Sequence, residues 1–317
     1  MISRRYLRVK TFQALYAYFQ SSDKNVNKAE SELFLSLEHM YDLYLFFLAL
    51  PAEIVHRAEL RMEEAKTKRL PSEEDLDPNQ KLVGNRVFRL ITTNKHLSQK
   101  LNERKLSWSP DQDLITKFMN FLRKHEAYIE YMSTREFSFE QDQKFVVTLY
   151  KKIIPDFELM LSEIQDKSIF WGFDEIDFVL SMVLKSVKRF KENSDEFTPL
   201  LDLYTDKDED VKMVKKLFRK TIEDDKANSK IIADKTQNWD VERIAMIDIL
   251  LMKMALTELI HFNSVPVKVT LNEYIELSKW FSTPKSKVFI NGVLDKLVAD
   301  LKENGKMKKI GRGLLDA

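Results

Sequence analysis

Six glycines and eight prolines among 317 residues leave this chain few places to turn. Together they make up about 4% of it, against an average near 12%. A fold of many short strands needs frequent turns, and turns draw on Gly and Pro. That architecture is excluded, as are the glycine-rich loops that cradle nucleotide phosphates. Apolar spacing of three and four residues fills the chain instead. Val9, Phe12, Tyr16 and Phe19, with Leu15 beside them, form one stripe on a first helix. The pattern predicts a helix over 25–50 and another entered at Pro51, where a missing N–H costs least. Further helices are expected over roughly 81–104, 111–132, 140–165 and 174–192, and then over 209–223, 226–237, 241–262, 268–281 and 284–304. A linker at 70–78 and a polar stretch at 191–210 separate these groups. The expected fold class is all-α, with a core supported by a hydrophobic share of 44%.

Several chemistries are missing. There is no cysteine, so disulfides, thiol nucleophiles and Cys-based metal sites are excluded, and a reducing compartment fits. His39, His56, His96, His125 and His261 never fall at the His-x-x-x-His spacing of a zinc helix. Phosphate-loop, dinucleotide and nucleophile-elbow motifs are absent. Adjacent acids such as Asp224-Asp225 stand in polar linkers, where solvation explains them. A binding protein without cofactor or metal is expected, not an enzyme. The longest apolar candidate, Ile244–Phe262, carries Asp248, Lys253 and Glu258, so no membrane span is expected. The N-terminus lacks the apolar region of a secretory signal, and the expected location is cytoplasmic.

The formal net charge of +1 is an average over an uneven distribution. Residues 1–22 hold Arg4, Arg5, Arg8 and Lys10 and no acid, and the tail 301–317 holds four lysines and Arg312 against Glu303 and Asp316. Lys285 and Lys287 flank Ser286 in a loop between the last two helices. Arginines in a first helical turn oppose the helix dipole, a local cost that an anionic ligand would relieve. A solvated basic face is the alternative.

An offset of 68 positions lays residues 142–171 on 210–239 without a gap, with nine identities, among them Asp142/Asp210, Val146/Val214, Leu149/Leu217, Ile164/Ile232 and Trp171/Trp239. Either a helical unit is duplicated, or two segments of equal period imitate one another.

Three motifs follow in order near the C-terminus. They are Trp239-Asp240-Val241-Glu242-Arg243-Ile244, Val265-Pro266-Val267-Lys268-Val269-Thr270-Leu271-Asn272-Glu273 and Phe289-Ile290-Asn291-Gly292-Val293-Leu294-Asp295-Lys296. With Arg4-Arg5-x-x-Arg8 and Gln13-Ala14-Leu15-Tyr16 at the start, this set resembles the NusB family of transcription antitermination factors. The resemblance covers about 1–22 and 205–300. It implies a discontinuous core at 1–22 and 205–304 forming a helical bundle of two subdomains, a helical insertion at 23–204 and a basic flexible tail at 305–317.

The resemblance further implies a non-enzymatic factor that binds boxA-like RNA with NusE, a small-subunit ribosomal protein, and reaches the RNA polymerase elongation complex indirectly. A homodimer is compatible with it. The RNA face would use Arg4, Arg5, Arg8, Lys10, Tyr16, Lys285, Ser286, Lys287, Phe289 and Asn291. Arginines suit phosphates, and Tyr16 and Phe289 either stack a base or pack in the core. Asn291 either reads a base edge or, with Gly292, is conformational, the glycine allowing close helix contact. The protein-partner face would include Glu242, Arg243, Asp248 and Glu258. Lys253 stands where the family usually has Arg and loses the fork geometry. A helical protein–protein adaptor without RNA binding is the rival reading.

Overall fold

In the computed structural model, residues 2–236 and 245–314 are described. Among them there are fifteen α-helices and no strand. α1 (Arg4–Gln20) leads to α2 (Val26–Lys66), which has 41 residues. Then come α3 (Glu73–Leu76), α4 (Arg86–Thr92), α5 (Lys95–Arg104), α6 (Gln112–Leu122), α7 (Glu126–Met132), α8 (Phe139–Thr148), α9 (Glu158–Asp166) and α10 (Phe173–Arg189). After a polar connection follow α11 (Lys207–Glu223), α12 (Asp225–Lys235), α13 (Met246–His261), α14 (Val267–Phe281) and α15 (Ser286–Glu303). Trp239, Glu242 and Arg243 lie outside the described residues.

The chain divides into two compact units. One runs from Ser36 to Leu203; the other joins Ile2–Leu35 to the stretch from Tyr204 onward. The first is built around Tyr44, Phe47, Phe88, Phe118 and Tyr150, all fully buried, with Phe46 stacked on Trp108 at 3.9 Å. In the second, α1 and α13 pack on α11, and α14 lies between α13 and α15. Leu7, Leu15, Leu217, Phe218, Leu251, Tyr274 and Leu294 are its fully buried centre.

The expected break at Pro51 is corrected: α2 continues through it. A proline inside a helix cannot donate to the carbonyl four residues earlier, at a cost of about 3 kcal/mol or more. Here that carbonyl belongs to Phe47, and it accepts the Tyr150 hydroxyl at 2.8 Å instead. The Phe46 carbonyl accepts the Trp108 indole N–H, also at 2.8 Å. Side chains from elsewhere in the unit thus supply the satisfaction that the backbone lacks. Tyr150→Phe is expected to leave the Phe47 oxygen buried and unpaired, lowering stability by about 1–3 kcal/mol in urea unfolding. An unchanged midpoint would show that the proline is tolerated for another reason.

α2 replaces Ile244–Phe262 as the longest apolar candidate. By length and composition it could cross a membrane. In this structure most of its apolar window is buried within the chain, Leu43 through Leu48 being at most 3% exposed.

Segments 68 residues apart have matching burial. α8 starts at 139 and α11 at 207. Asp142 and Asp210 sit at the same depth in their first turns and are fully buried, as are Val146, Val214, Leu149 and Leu217. Asp142 accepts the Arg86 N–H at 2.9 Å and the Tyr131 hydroxyl at 2.6 Å. Asp210 accepts the N–H groups of Thr205 and Asp206 at 3.0 and 3.2 Å. In both places an acid at a helix start collects donors the backbone would leave unpaired.

Candidate nucleic-acid interface

α1 begins at Arg4 because Ser3 caps it, its hydroxyl accepting the Tyr6 N–H at 3.3 Å. The first turn contains Arg4 and Arg5 and no acid. Neighbouring helices supply the missing negative charge. Arg4 donates to Glu209 at 2.7 Å and to Asp210 at 3.3 Å. Arg5 forks onto Glu273 with two bonds of 2.9 Å. That hydrogen bonding holds the Arg5 guanidinium above its usual pKa.

Arg8 and Glu258 depart from the expected surface roles. Arg8 is 3% exposed, and its Nε and Nη2 each donate to Glu258 at 2.7 Å. Glu258 is fully buried and also accepts Thr270 Oγ1 at 3.0 Å and the Tyr274 hydroxyl at 3.2 Å. Burial opposes the Arg8 charge, but the facing carboxylate outweighs it and raises the pKa. Burial and the same carboxylate keep the Tyr274 phenol protonated. The pair therefore fastens α1 to α13 and α14 from inside. Lys10 is likewise buried, at 5% exposure.

The tail, expected to be flexible, folds back over residues 305–314. Gly305 ends α15 with φ +62°, and the Lys306 N–H reaches back to the Leu301 carbonyl at 3.1 Å. This is the left-handed helix stop that glycine favours. The Ile310 N–H then donates to the Asn263 carbonyl at 3.0 Å, and Lys309 Nζ to the Phe262 carbonyl at 3.0 Å. Half-burial lowers the Lys309 pKa. Gly311 has φ +54°, and Gly313 lies so close to Asn263 that a Cβ would sit 2.0 Å from its carbonyl oxygen. Three of the six glycines thus build one strap.

The strap delivers Arg312 into an open groove of about 560 Å³, whose walls also carry Arg4, Arg5, Pro266 and Val269. Arg312 is exposed and has no carboxylate partner among the described residues. Its charge joins those of Arg4 and Arg5 at the positive end of α1. Sequence reasoning assigned Arg312 only to a loose tail. The signal that could have found it is Gly311-Arg312-Gly313, two glycines around one arginine in a glycine-poor chain.

A second basic edge opens α15. Lys285 precedes its first residue, Ser286, and Lys285 and Lys287 are exposed. Ser286 is itself buried, accepting the Ser282 hydroxyl at 2.8 Å and pairing with Thr283 at 2.9 Å. Ser282 also approaches Asp248 at 2.5 Å. Ser286 and Asp248 thus fix the loop that presents the two lysines. Asn291 is exposed and bonds Asp295 at 3.1 Å. Lys279, Lys287, Val288 and Asn291 border a shallow groove of about 450 Å³ between α14 and α15. Phe289 and Tyr16 are half-buried, the Tyr16 ring lying 6.3 Å from Phe12. Gly292 is exposed with nothing within 4 Å of an added Cβ, so its expected role in close helix contact is corrected. Lys253 bonds Asp225 at 2.5 Å and lies 5.4 Å over the Phe19 ring.

Comparison with known proteins places this unit. Residues 179–299 match the NusB family model. The transcription antitermination protein NusB of Salinibacter ruber is 46% identical over 99 residues, 31% of this chain and 62% of its own length. That of Chloroherpeton thalassium is 45% identical over 85 residues, 27% of this chain and 40% of its own. The chain therefore spans less than two thirds of these two relatives. The NusB protein of Geobacter sulfurreducens is 34% identical over 115 residues, which are 35% of this chain and 83% of that protein. No solved structure matches the chain. Helices α11 to α15 carry the matched residues downstream of 206, and with them an all-α fold: this chain belongs to the NusB family of transcription antitermination proteins.

Proposed function

We propose that this chain binds boxA-like single-stranded RNA together with NusE and supports antitermination in the bacterial cytoplasm without catalysing a reaction. The observation that carries the reading is the groove at the start of α1, where Arg4, Arg5 and the strap's Arg312 converge. Guanidinium groups suit phosphates because their donors form a fork. Lys285, Lys287 and Asn291 extend the same chemistry along α15, and Tyr16 and Phe289 offer ring faces for unstacked bases. Arg8, Lys10 and Ser286 serve the face from beneath. In this reading NusE contacts Glu242 and Arg243, while the buried Asp248 and Glu258 support the fold from inside. Two modest contacts, one to RNA and one to protein, then reinforce each other through effective concentration. In this reading the insertion expected at 23–204 makes up most of the unit at 36–203, although the family match already begins at 179, and the matched burial at a 68-residue offset supports a duplicated helical unit.

Salt dependence tests the reading. Each phosphate contact on a single strand contributes a slope of about −0.7 in log K against log salt. The three groove arginines should contribute about −2 to the slope, of which Arg4→Glu with Arg312→Glu should remove about 1.4. A flat slope for the unaltered protein would favour the adaptor reading, to which exposed Trp280 and Val288 would then belong.

A further inference from the structure

We infer that the unit at 36–203 has its own binding surface for the phosphodiester backbone of single-stranded RNA. This goes beyond the groove at α1 and does not depend on it.

The first part of that surface is a cleft of about 600 Å³. Arg57 and Arg61 reach it from α2, Arg123 from the end of α6 and Tyr128 from α7. Arg57 and Arg61 are one helical turn apart, a spacing at which like charges destabilise a helix. Little opposes them. Arg57 has one carboxylate contact, to Glu64 at 3.3 Å, and Glu64 is largely exposed. Arg61 has no carboxylate partner among the described residues. Arg123 donates to the Met119 carbonyl at 3.0 Å and to Asn120 Oδ1 at 2.8 Å, both neutral. Of the acids in the lining, Asp75 is already engaged by Lys68 at 2.7 Å and by its own capping box, and Glu74 is exposed. Arg61 stands near the Tyr128 ring: burial raises that phenol's pKa, and the Arg61 charge partly lowers it again.

The second part is a smaller cavity of about 280 Å³ that shares Ser133 with the cleft. Lys81 lines it and is 2% exposed. Its ammonium donates to Thr134 Oγ1 at 2.6 Å and to Gln141 Oε1 at 3.0 Å, and it lies 4.8 Å over the Tyr131 ring. None of these partners carries a full negative charge. Burying an ammonium without an anion is costly unless something else balances it. Lys144 lines the same cavity. Arg57 pairs with exposed Glu64, Arg135 with Asp77, and Glu130 lines the smaller cavity, but Arg61, Arg123 and Lys81 have no carboxylate partner among the described residues, an arrangement that phosphates would complete. The apolar floor of the cleft, with Met62 and Met119 beside the Tyr128 ring, favours a ligand that also has flat faces, as unstacked bases have. An acidic peptide has the charge without those faces.

The test uses the full-length protein and a labelled poly-uridine strand followed by anisotropy, with ultraviolet cross-linking and mass spectrometry of the product. Arg61→Glu combined with Arg123→Glu is expected to weaken binding about tenfold and to make the salt slope shallower by about 1.4, two phosphate contacts. A cross-link at Tyr128 in the unaltered protein is expected to disappear in the variant. Arg61→Gln alone, at an exposed position, should weaken binding about threefold with unchanged thermal unfolding. Affinity of the charge-reversal variant within about twofold of the unaltered protein, with no cross-link at Tyr128, would overturn the inference. So would capture of poly-glutamate in place of the RNA. Repeating the series on Arg4→Glu with Arg312→Glu separates the two readings. If the α1 groove binds no RNA, that background loses nothing, while the Tyr128 cross-link and its loss remain.

Discussion

Replacing Arg8 by alanine is expected to destabilise the α1-containing unit by about 3–5 kcal/mol, the usual result of breaking a buried ion pair from one side. The loss comes from what is left behind. Glu258 would keep its place at full burial without its forked partner, and the hydroxyls of Thr270 and Tyr274 that still donate to it are neutral. Removing both charges is a different experiment. Arg8→Met with Glu258→Met replaces the pair by apolar groups of similar length, and such exchanges are often close to neutral. The expected order of stability is therefore the unaltered protein and the double variant close together, with both single variants far below. Arg8→Lys should fall between, because an ammonium cannot make the two parallel 2.7 Å bonds that the guanidinium makes. Urea unfolding followed by circular dichroism reads the series. A single variant as stable as the double would mean that the buried pair does not hold α1 in place.

That pair also shows why part of the interface was hidden in the sequence. Arg4, Arg5 and Arg8 look alike as text, a basic cluster in an acid-free stretch. A period of 3.6 separates them only when the partner helices are known. Arg4 and Arg5 project toward Glu209 and Glu273 at the margin, whereas Arg8 turns inward onto Glu258, 250 residues away in the chain. No local pattern encodes a contact of that separation. What the sequence does encode is local: the apolar stripe of α1, where Val9, Phe12 and Leu15 are buried, and the motifs at 265–273 and 289–296 that fall in α14 and α15. The start of α15 was legible too, expected at 284 and found at Ser286. Pro51 misled because its cost is offset by Tyr150, 99 residues downstream. Gly292 misled for the opposite reason: it belongs to a recognisable motif, yet nothing packs on it.

The glycines that do pack are in the strap, and they set up the sharpest functional contrast. Gly313→Ala is expected to lower RNA affinity about as much as Arg312→Ala, near tenfold or 1.4 kcal/mol, although alanine removes no charge. The cause is steric. The added methyl would stand 2.0 Å from the Asn263 oxygen and 3.1 Å from its carbonyl carbon, both backbone atoms that the Ile310 N–H bond holds in place. The strap must lift, and Arg312 leaves the groove with it. Gly292→Ala, with open space around it, should leave affinity unchanged and serves as the matched control. Arg312→Lys should restore part of the binding, since charge survives but the fork does not. Thermal unfolding of the main bundle should move little in the Gly313 variant, because the strap lies outside the packed helices. If Gly313→Ala weakens binding while Arg312→Ala does not, the strap acts by shape and the Arg312 assignment fails. If both leave affinity unchanged, the RNA path avoids the α1 groove and runs along the Lys285–Lys287 edge instead.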